Sequence, residues 1–406
     1  MIFPRQKIYD FDGMKILSNK QTSVDSKNIR EKFINQLRIE KTYNLYFTSK
    51  GRTALFLIIK YLIKKKGKVE FLLSPFTIFD VVNMIIIAGG KPIFIDFKKD
   101  SFDFDEQKLS DNISQKSCAL IVCHYSFNQK LDNIKEICKK NDIELIQDCA
   151  ISLPSKKNNE SIFNQSKFSF ISFNIFKFLP CIYGGAVVTN DESFHNFFEK
   201  ETKNWEYYKF NDLIEYFFKA IKFRLFTNTI IFNLFTFWII KIGEKFNIEI
   251  ITKSTKNDPN PVLKTNLDFS LKKKLTTGQI HNLKKQLSKV EKFRKVRIKN
   301  YKILNLNILN KKLTKIRYET DLEDSSCLNF PIIADDKERF SRYLFKNNID
   351  HSKYFYRNCS NLKIFDEYNT YCKNIDTLEK KLIFFPTHHN ISGNQIANLI
   401  KIVNNY

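Results

Sequence analysis

Two residues of this 406-residue chain stand where a β-sheet could bring an acid and an amine together. Asp148 closes the apolar run IELIQD (143–148), and Lys177 follows a second run, FSFISFN (168–174). In parallel α/β sheets ligands bind outside the carboxyl ends of the strands, so side chains at two such ends can reach one molecule. A lysine amine forms a Schiff base with a carbonyl compound most readily when burial or a neighbouring cation lowers its pKa. Lys177 lies in SFNIFKFLP, apolar on both sides, which is not the setting of an ordinary surface lysine. A strand-end carboxylate can hold a pyridinium nitrogen protonated by charge pairing, turning the ring into an electron sink. Either residue alone has a plainer reading, since strand-end aspartates often cap helices and most lysines of a Lys-rich chain face water. The pair, in this order, is what points to chemistry.

A third feature lies upstream. The stretch LYFTSKGRTALFLIIKYLIKKKGK (45–68) joins a short β-run to a turn at Gly51 and an apolar helix beginning near Arg52. The N–H groups of a helix start form an anion site. Thr53 adds a hydroxyl and Arg52 a fork of donors. The P-loop pattern GxxxxGK[ST] is absent, and a bare strand–glycine–helix junction is commonly structural. Taken together, Gly51, Arg52, Thr53 and Ser172 as phosphate ligands, with Lys177 and Asp148, suit pyridoxal 5′-phosphate (PLP). The six histidines are scattered apart from the adjacent His388 and His389, so no metal site is expected.

Alternating elements are needed to position these groups. FLLSP (71–75), PIFIDF (92–97), ALIVCHY (119–125) and IELIQD read as strands, with helical patterns such as FDVVNMIIIAGG (79–90) and KLDNIKEICKKN (130–141) between them. Such alternation predicts an α/β fold, a mostly parallel central sheet flanked by helices. From 278 a long helix, the strands CLNFPIIA and LIFFP, and a final helix with a capping-box spacing at Ser392 and Gln395 predict a smaller C-terminal α/β domain. The expected organisation is an N-terminal arm and helix (1–40), a large domain (41–255), a polar, proline-containing linker (256–277) and the small domain (278–406).

Composition bounds the partners. Lys and Arg number 67 against 43 Asp and Glu, a net charge of +24 that attracts anions such as a phosphorylated substrate or a lipid surface. No zinc-finger spacing or RNA-binding aromatic signature accompanies it, so no nucleic-acid partner is expected. The eight cysteines form no CxxC pair and read as reduced thiols of a cytoplasmic protein. The segment 210–250 is rich in Phe and Ile, and its uncharged core, Leu225 to Ile240, is too short to span a bilayer. Core helices are the first expectation. An interfacial helix pair touching the inner face of the membrane is the rival, because Lys219, Lys222, Arg224, Lys241 and Lys245 flank the apolar stretch.

Seven segments, in order, resemble the DegT/StrS family of fold-type-I PLP enzymes, chiefly nucleotide-sugar aminotransferases. They are TSKGRTALFLIIKYL, FTIFDVVNMIIIAGGKPIFIDFKKDSFDFD, CHYSFNQKLDNI, IQDCA, SFNIFK with YGGAVVTND, QLSKVEKF and FPTHHNIS. The resemblance implies that Lys177 carries the cofactor, that Asp148 pairs with the pyridine nitrogen and that Ser172 and the Gly51–Thr53 turn hold the phosphate. It also implies a homodimer with interfacial active sites, glutamate as amino donor and a nucleotide-linked keto-sugar as acceptor, in glycan or antibiotic-sugar biosynthesis. Dehydration, the related outcome in which the family has His for the lysine, is opposed by Lys177. Three positions depart from the family pattern. Ile151 replaces the His or Gln near the ring, Ile78 replaces the usual aromatic that stacks on it, with Phe79 adjacent, and Lys272 aligns with the partner-subunit asparagine that reaches the phosphate. These departures and the apolar insertion 210–250 leave an alternative, a member of altered or lost activity working as a membrane-surface or complex-forming protein.

Overall fold

The computed structural model describes residues 2–6, 17, 26–157, 160–254, 260–353 and 355–406. Residues 7–16 and 18–25 of the expected arm and 256–259 of the expected linker lie outside the described residues.

The large sheet has seven strands: β1 (Asn44–Thr48), β2 (Glu70–Leu73), β3 (Lys91–Phe94), β4 (Ser117–Cys123), β5 (Glu144–Asp148), β6 (Phe168–Ser172) and β7 (Gly185–Thr189). Their spatial order is β1-β7-β6-β5-β4-β2-β3. β3, β2, β4, β5 and β6 run parallel, and β7 is antiparallel to both of its neighbours. The strands are apolar on both faces because helices cover both, as a parallel sheet requires.

Helix α1 (Ser26–Leu37) buries Ile29, Phe33 and Leu37, spaced four apart on one face. Helix α2 (Gly51–Lys66) is the most apolar support of the sheet, burying Leu55, Ile58, Ile59 and Leu62. It stops at Gly67, whose φ of 67° only glycine adopts easily and whose N–H donates to the Ile63 carbonyl at 2.8 Å. Lys64, Lys65 and Lys66 in its last turn complement the helix dipole. Helix α3 (Phe79–Ile87) follows β2.

Beyond β7 the chain forms helix α4 (Phe210–Phe226), a short turn with a π-helical stretch at Phe232–Thr236, and helix α5 (Phe237–Lys245). So apolar a stretch is first expected in a core. Instead each helix buries a single face, and Phe218, Leu225, Phe235 and Ile239 are more than half exposed. Residues 260–276 are fastened along the large domain. Val262 O and Lys264 N bond to the Asn83 side chain at 2.9 and 3.0 Å, and Lys273–Lys274 pairs with Glu206–Tyr207.

The 31-residue helix α6 (Thr277–Asn307) opens with a capping box between Thr276 and Gln279. It leads into an antiparallel sheet of β8 (Leu313–Lys315), β9 (Asn329–Ala334) and β10 (Leu382–Pro386), with helices α7 (Lys337–Lys346) and α8 (Gly393–Asn404). One apolar core runs from the large sheet into this second one. Arg357–Asn358 also pairs with Phe76–Thr77, drawing the C-terminal half across the end of β2.

Candidate active site

The strand register sets the site. Thr48 pairs with Gly185 and Gly185 with Ser172, while Cys123 pairs with Asp148 and Asp148 with Phe170. Ser172 and Asp148 therefore end neighbouring parallel strands on one edge, the edge at which α/β sheets of this kind bind ligands. Asp148 is only 6% exposed. Burial pushes its carboxyl up to about 6, against the Ala150 N–H donated to Oδ1 at 2.9 Å and the nearby positive charge of Lys177. Behind it, Gln147 donates to the Ile162 carbonyl and the Ser166 hydroxyl, both at 2.8 Å, and lies 2.9 Å from His124 Nε2. His124 Nδ1 accepts from the Gln129 N–H at 3.2 Å, so Nε2 carries the proton and donates to Gln147. Burial lowers this imidazole to about 4, so it is a neutral prop beneath the strand end.

Lys177 sits half-buried in the turn after β6. Its N–H donates to the Asn174 carbonyl at 2.9 Å, and Asn174 Oδ1 accepts from the Phe176 N–H at 3.3 Å. The descending limb of this turn is held by α6. Asn282 and Gln286 donate to the Pro180 carbonyl at 3.0 and 2.6 Å, and Gln279 donates to the Tyr183 carbonyl at 3.3 Å. Ile182 adopts φ 57°, a left-handed conformation costly for a β-branched residue. These amide contacts are what the surroundings supply to keep it there.

The four residues expected at a phosphate divide in two. A Cβ on Gly51 would stand 2.8 Å from Ser172 Cβ, so only glycine lets the start of α2 press against Ser172. The Ser172 hydroxyl has no hydrogen-bond partner among the described residues. These two meet at the mouth of the strand edge. Arg52 and Thr53 are engaged within the protein instead. The Arg52 guanidinium pairs with Asp80, which also takes Lys264 Nζ at 2.6 Å. Thr53 is fully buried, with its hydroxyl 2.8 Å from Ser49 Oγ and 3.3 Å from the Leu271 carbonyl, so it ties the turn to residues 269–271. Ile78 caps α3 in an extended conformation and packs against the apolar core. Ile151 is buried and brings no polar atom. Lys272 is exposed.

Sequence reasoning missed three contributors. Lys50, next to Gly51, lies 4.4 Å over the Tyr183 ring. Burial, and then the charge of Arg52, lowers its amine to about 8. A basic residue directly before a helix start was the available signal. Tyr125 donates to the Phe76 carbonyl at 2.6 Å. Tyr356 meets it edge-on at 5.1 Å, and burial, with the neighbouring Asp148 adding to it, holds both phenols protonated. Lys50, Arg52 and Lys264 outnumber Asp80 and Asp268 around the turn, so it favours an anion, while the buried Asp148 carboxyl favours a cation beside it.

The model of the DegT/DnrJ/EryC1/StrS aminotransferase family matches residues 35–200 and 252–404. A Helicobacter pylori UDP-4-amino-4,6-dideoxy-N-acetyl-beta-L-altrosamine transaminase is 24% identical over 185 residues, 45% of this chain and 48% of that enzyme, so the match spans about half its length. The solved structure of H. pylori PseC, an aminotransferase involved in the biosynthesis of pseudoaminic acid, superposes with a TM-score of 0.73 at 17% identity, covering 99% of this chain and 98% of that one. A Streptococcus pneumoniae protein described as a sugar aminotransferase, in its PLP form, superposes with a TM-score of 0.69 at 13% identity, covering 99% and 97%. These likenesses carry the fold. With the family model matched over most of this chain, on both sides of the apolar segment 210–250, the chain belongs to the DegT/DnrJ/EryC1/StrS aminotransferase family.

Proposed function

We propose that this protein is a PLP-dependent aminotransferase that aminates a keto-sugar carried on a nucleotide, with glutamate as donor, working as a homodimer in the cytoplasm. The observation that carries this reading is the meeting of Lys177 and Asp148 at one sheet edge. The residues present suit the cofactor. Asp148 has a carboxyl that burial disfavours in its charged form despite the nearby Lys177, and a protonated pyridine nitrogen would stabilise that form further. The first turn of α2, the Ser172 hydroxyl and Lys50 provide donors for a phosphate.

Bound PLP would supply an electron sink that stabilises negative charge developing at the substrate carbon. The chain's own part is positional and protic. Lys177, half-buried beside Asp148, would serve as general base and then as general acid, its Nζ taking up and returning the substrate's proton. Tyr125 and Tyr356 pack edge-on behind Asp148 and add apolar surface beside it. The nucleotide-sugar substrate is supported by the name of the Helicobacter relative and by the net charge of +24. The cytoplasm suits eight cysteines that remain free thiols. A protein that keeps the fold without catalysis has no observation in its favour.

The test is turnover. Full-length protein given PLP, glutamate and a panel of nucleotide keto-sugars is expected to release one 2-oxoglutarate for each sugar aminated. Failure to bind PLP at all would overturn the reading.

A further inference from the structure

The family model leaves residues 201–251 unmatched between its two stretches, and α4 and α5 fall within that gap. Their inner faces are firmly docked. Tyr216 of α4 lies 4.0 Å from Tyr183, and Phe223 lies 4.7 Å from Phe176, the neighbour of Lys177. On α5, Phe237 packs on Phe345, and Glu244 pairs with Lys353 at 2.8 Å with both side chains buried. Asn233 clamps the backbone of Ile2 through two bonds of 2.6 and 2.9 Å.

The outer faces are apolar and exposed. Phe218, Ile221 and Leu225 follow i, i+3, i+7 spacing on α4, and Leu234, Trp238 and Ile242 repeat every four residues, so each set forms one outward stripe. Around these stripes stand Lys219, Lys222, Arg224, Lys241 and Lys245. Of the acids on these helices, Glu244 is turned inward to Lys353 and Asp212 toward Lys273, while the exposed Glu215 stands one turn from Lys219 and is outnumbered by the cations. Lys241 Nζ lies 4.9 Å over the Trp238 ring and Lys245 Nζ 5.2 Å over Phe246, each with its stem along an apolar surface.

We propose that the outer faces of α4 and α5 dock this protein on an anionic lipid bilayer, with aromatic and aliphatic side chains at the acyl boundary and the cations among headgroup phosphates. An amphipathic, basic, aromatic-rich surface is what an interfacial helix presents. Crossing the bilayer is disfavoured, because no single described helix is long and apolar enough, and the pair that passes by length and composition, bent by 61°, has its inner face docked on the protein through Phe223–Phe176 and Glu244–Lys353. A second copy is disfavoured by charge, since a two-fold contact through the same patch sets cations against cations. Each basic residue near such a membrane contributes roughly a fivefold gain in binding.

The test uses the full chain in a Trp205→Phe background, so that Trp238 alone reports. Vesicles of phosphatidylcholine with phosphatidylglycerol are compared with phosphatidylcholine alone, by flotation and by tryptophan emission. Co-flotation and a blue shift with the anionic vesicles only, weakened by high salt, are expected. Lys219→Gln with Lys222→Gln should weaken binding by about tenfold or more. Phe235→Ser with Ile239→Ser should abolish the blue shift while leaving the melting profile intact. Absence of flotation at low salt, equal binding to both vesicle types, or self-association lost in the Phe235→Ser, Ile239→Ser variant without vesicle binding would each overturn the proposal.

Discussion

The strand ends around Asp148 bury charged groups, whereas α4 and α5 expose apolar ones. Ordinary side chains do neither, because burying an unpaired charge and wetting a large apolar face both carry a free-energy cost. At the strand edge the cost sits on one carboxyl 6% exposed to solvent. Its rise from 3.8 to about 6 corresponds to roughly 3 kcal/mol against the ionised form. On the helices it is spread over many side chains, Trp238 at 41% and Phe235 at 62% exposed among them. The concentrated cost is relieved by one cationic atom and reads as a ligand site. The distributed cost is relieved only by a broad apolar phase and reads as a docking face.

Breaking the buried side of this contrast should have the largest effect. Lys177→Ala is expected to lower amination by about a thousandfold or more, because it removes both the covalent anchor and the proton carrier. Steady-state turnover with saturating PLP measures it, and Lys177→Arg should not restore it. Asp148→Asn comes next. The folded carboxyl has a raised pKa, so the apo-protein is most favoured with Asp148 protonated and loses stability as pH climbs from about 4 through about 6. The Asn variant lacks that loss. Unfolding free energies of the apo-proteins, from urea titration, should diverge over this window in favour of Asn by up to roughly 3 kcal/mol. With PLP bound, wild type should gain the more.

The exposed side is sharpened by cutting its anchor. Lys353→Met strands Glu244, and breaking a buried pair costs on the order of 3 kcal/mol. Hydrogen exchange should quicken across Phe237–Lys245 while the Lys177 turn, held by α6, keeps its protection. The smallest effect is expected at Lys50. Its amine, lowered to about 8, loses its charge as pH rises through that value, so PLP affinity should fall several-fold between about pH 7 and pH 9. Lys50→Met should bind more weakly at pH 7 and show a flatter profile.

What could be read in advance follows the range of the interactions. The sheet, its order of elements and the Lys177–Asp148 pair were legible because each depends on apolar runs bounded by turns. Arg52 and Thr53 were not, since their partners Asp80 and Leu271 lie 28 and 218 residues away and no local pattern announces them. Tyr356 reaches the site only because Arg357–Asn358 pairs with Phe76–Thr77. The exposure of 210–250 was hidden for a related reason. Apolar spacing tells which face is greasy, but whether the protein itself covers that face depends on the whole fold.

The central claim is that Lys177 and Asp148 form one cofactor site. Borohydride reduction of the PLP-loaded protein, followed by peptide mapping, tests it most directly. A pyridoxyl adduct is expected on the peptide containing Lys177, lost in Lys177→Ala and weakened in Asp148→Asn. An adduct spread over surface lysines, or one unchanged by removing Lys177, would contradict it.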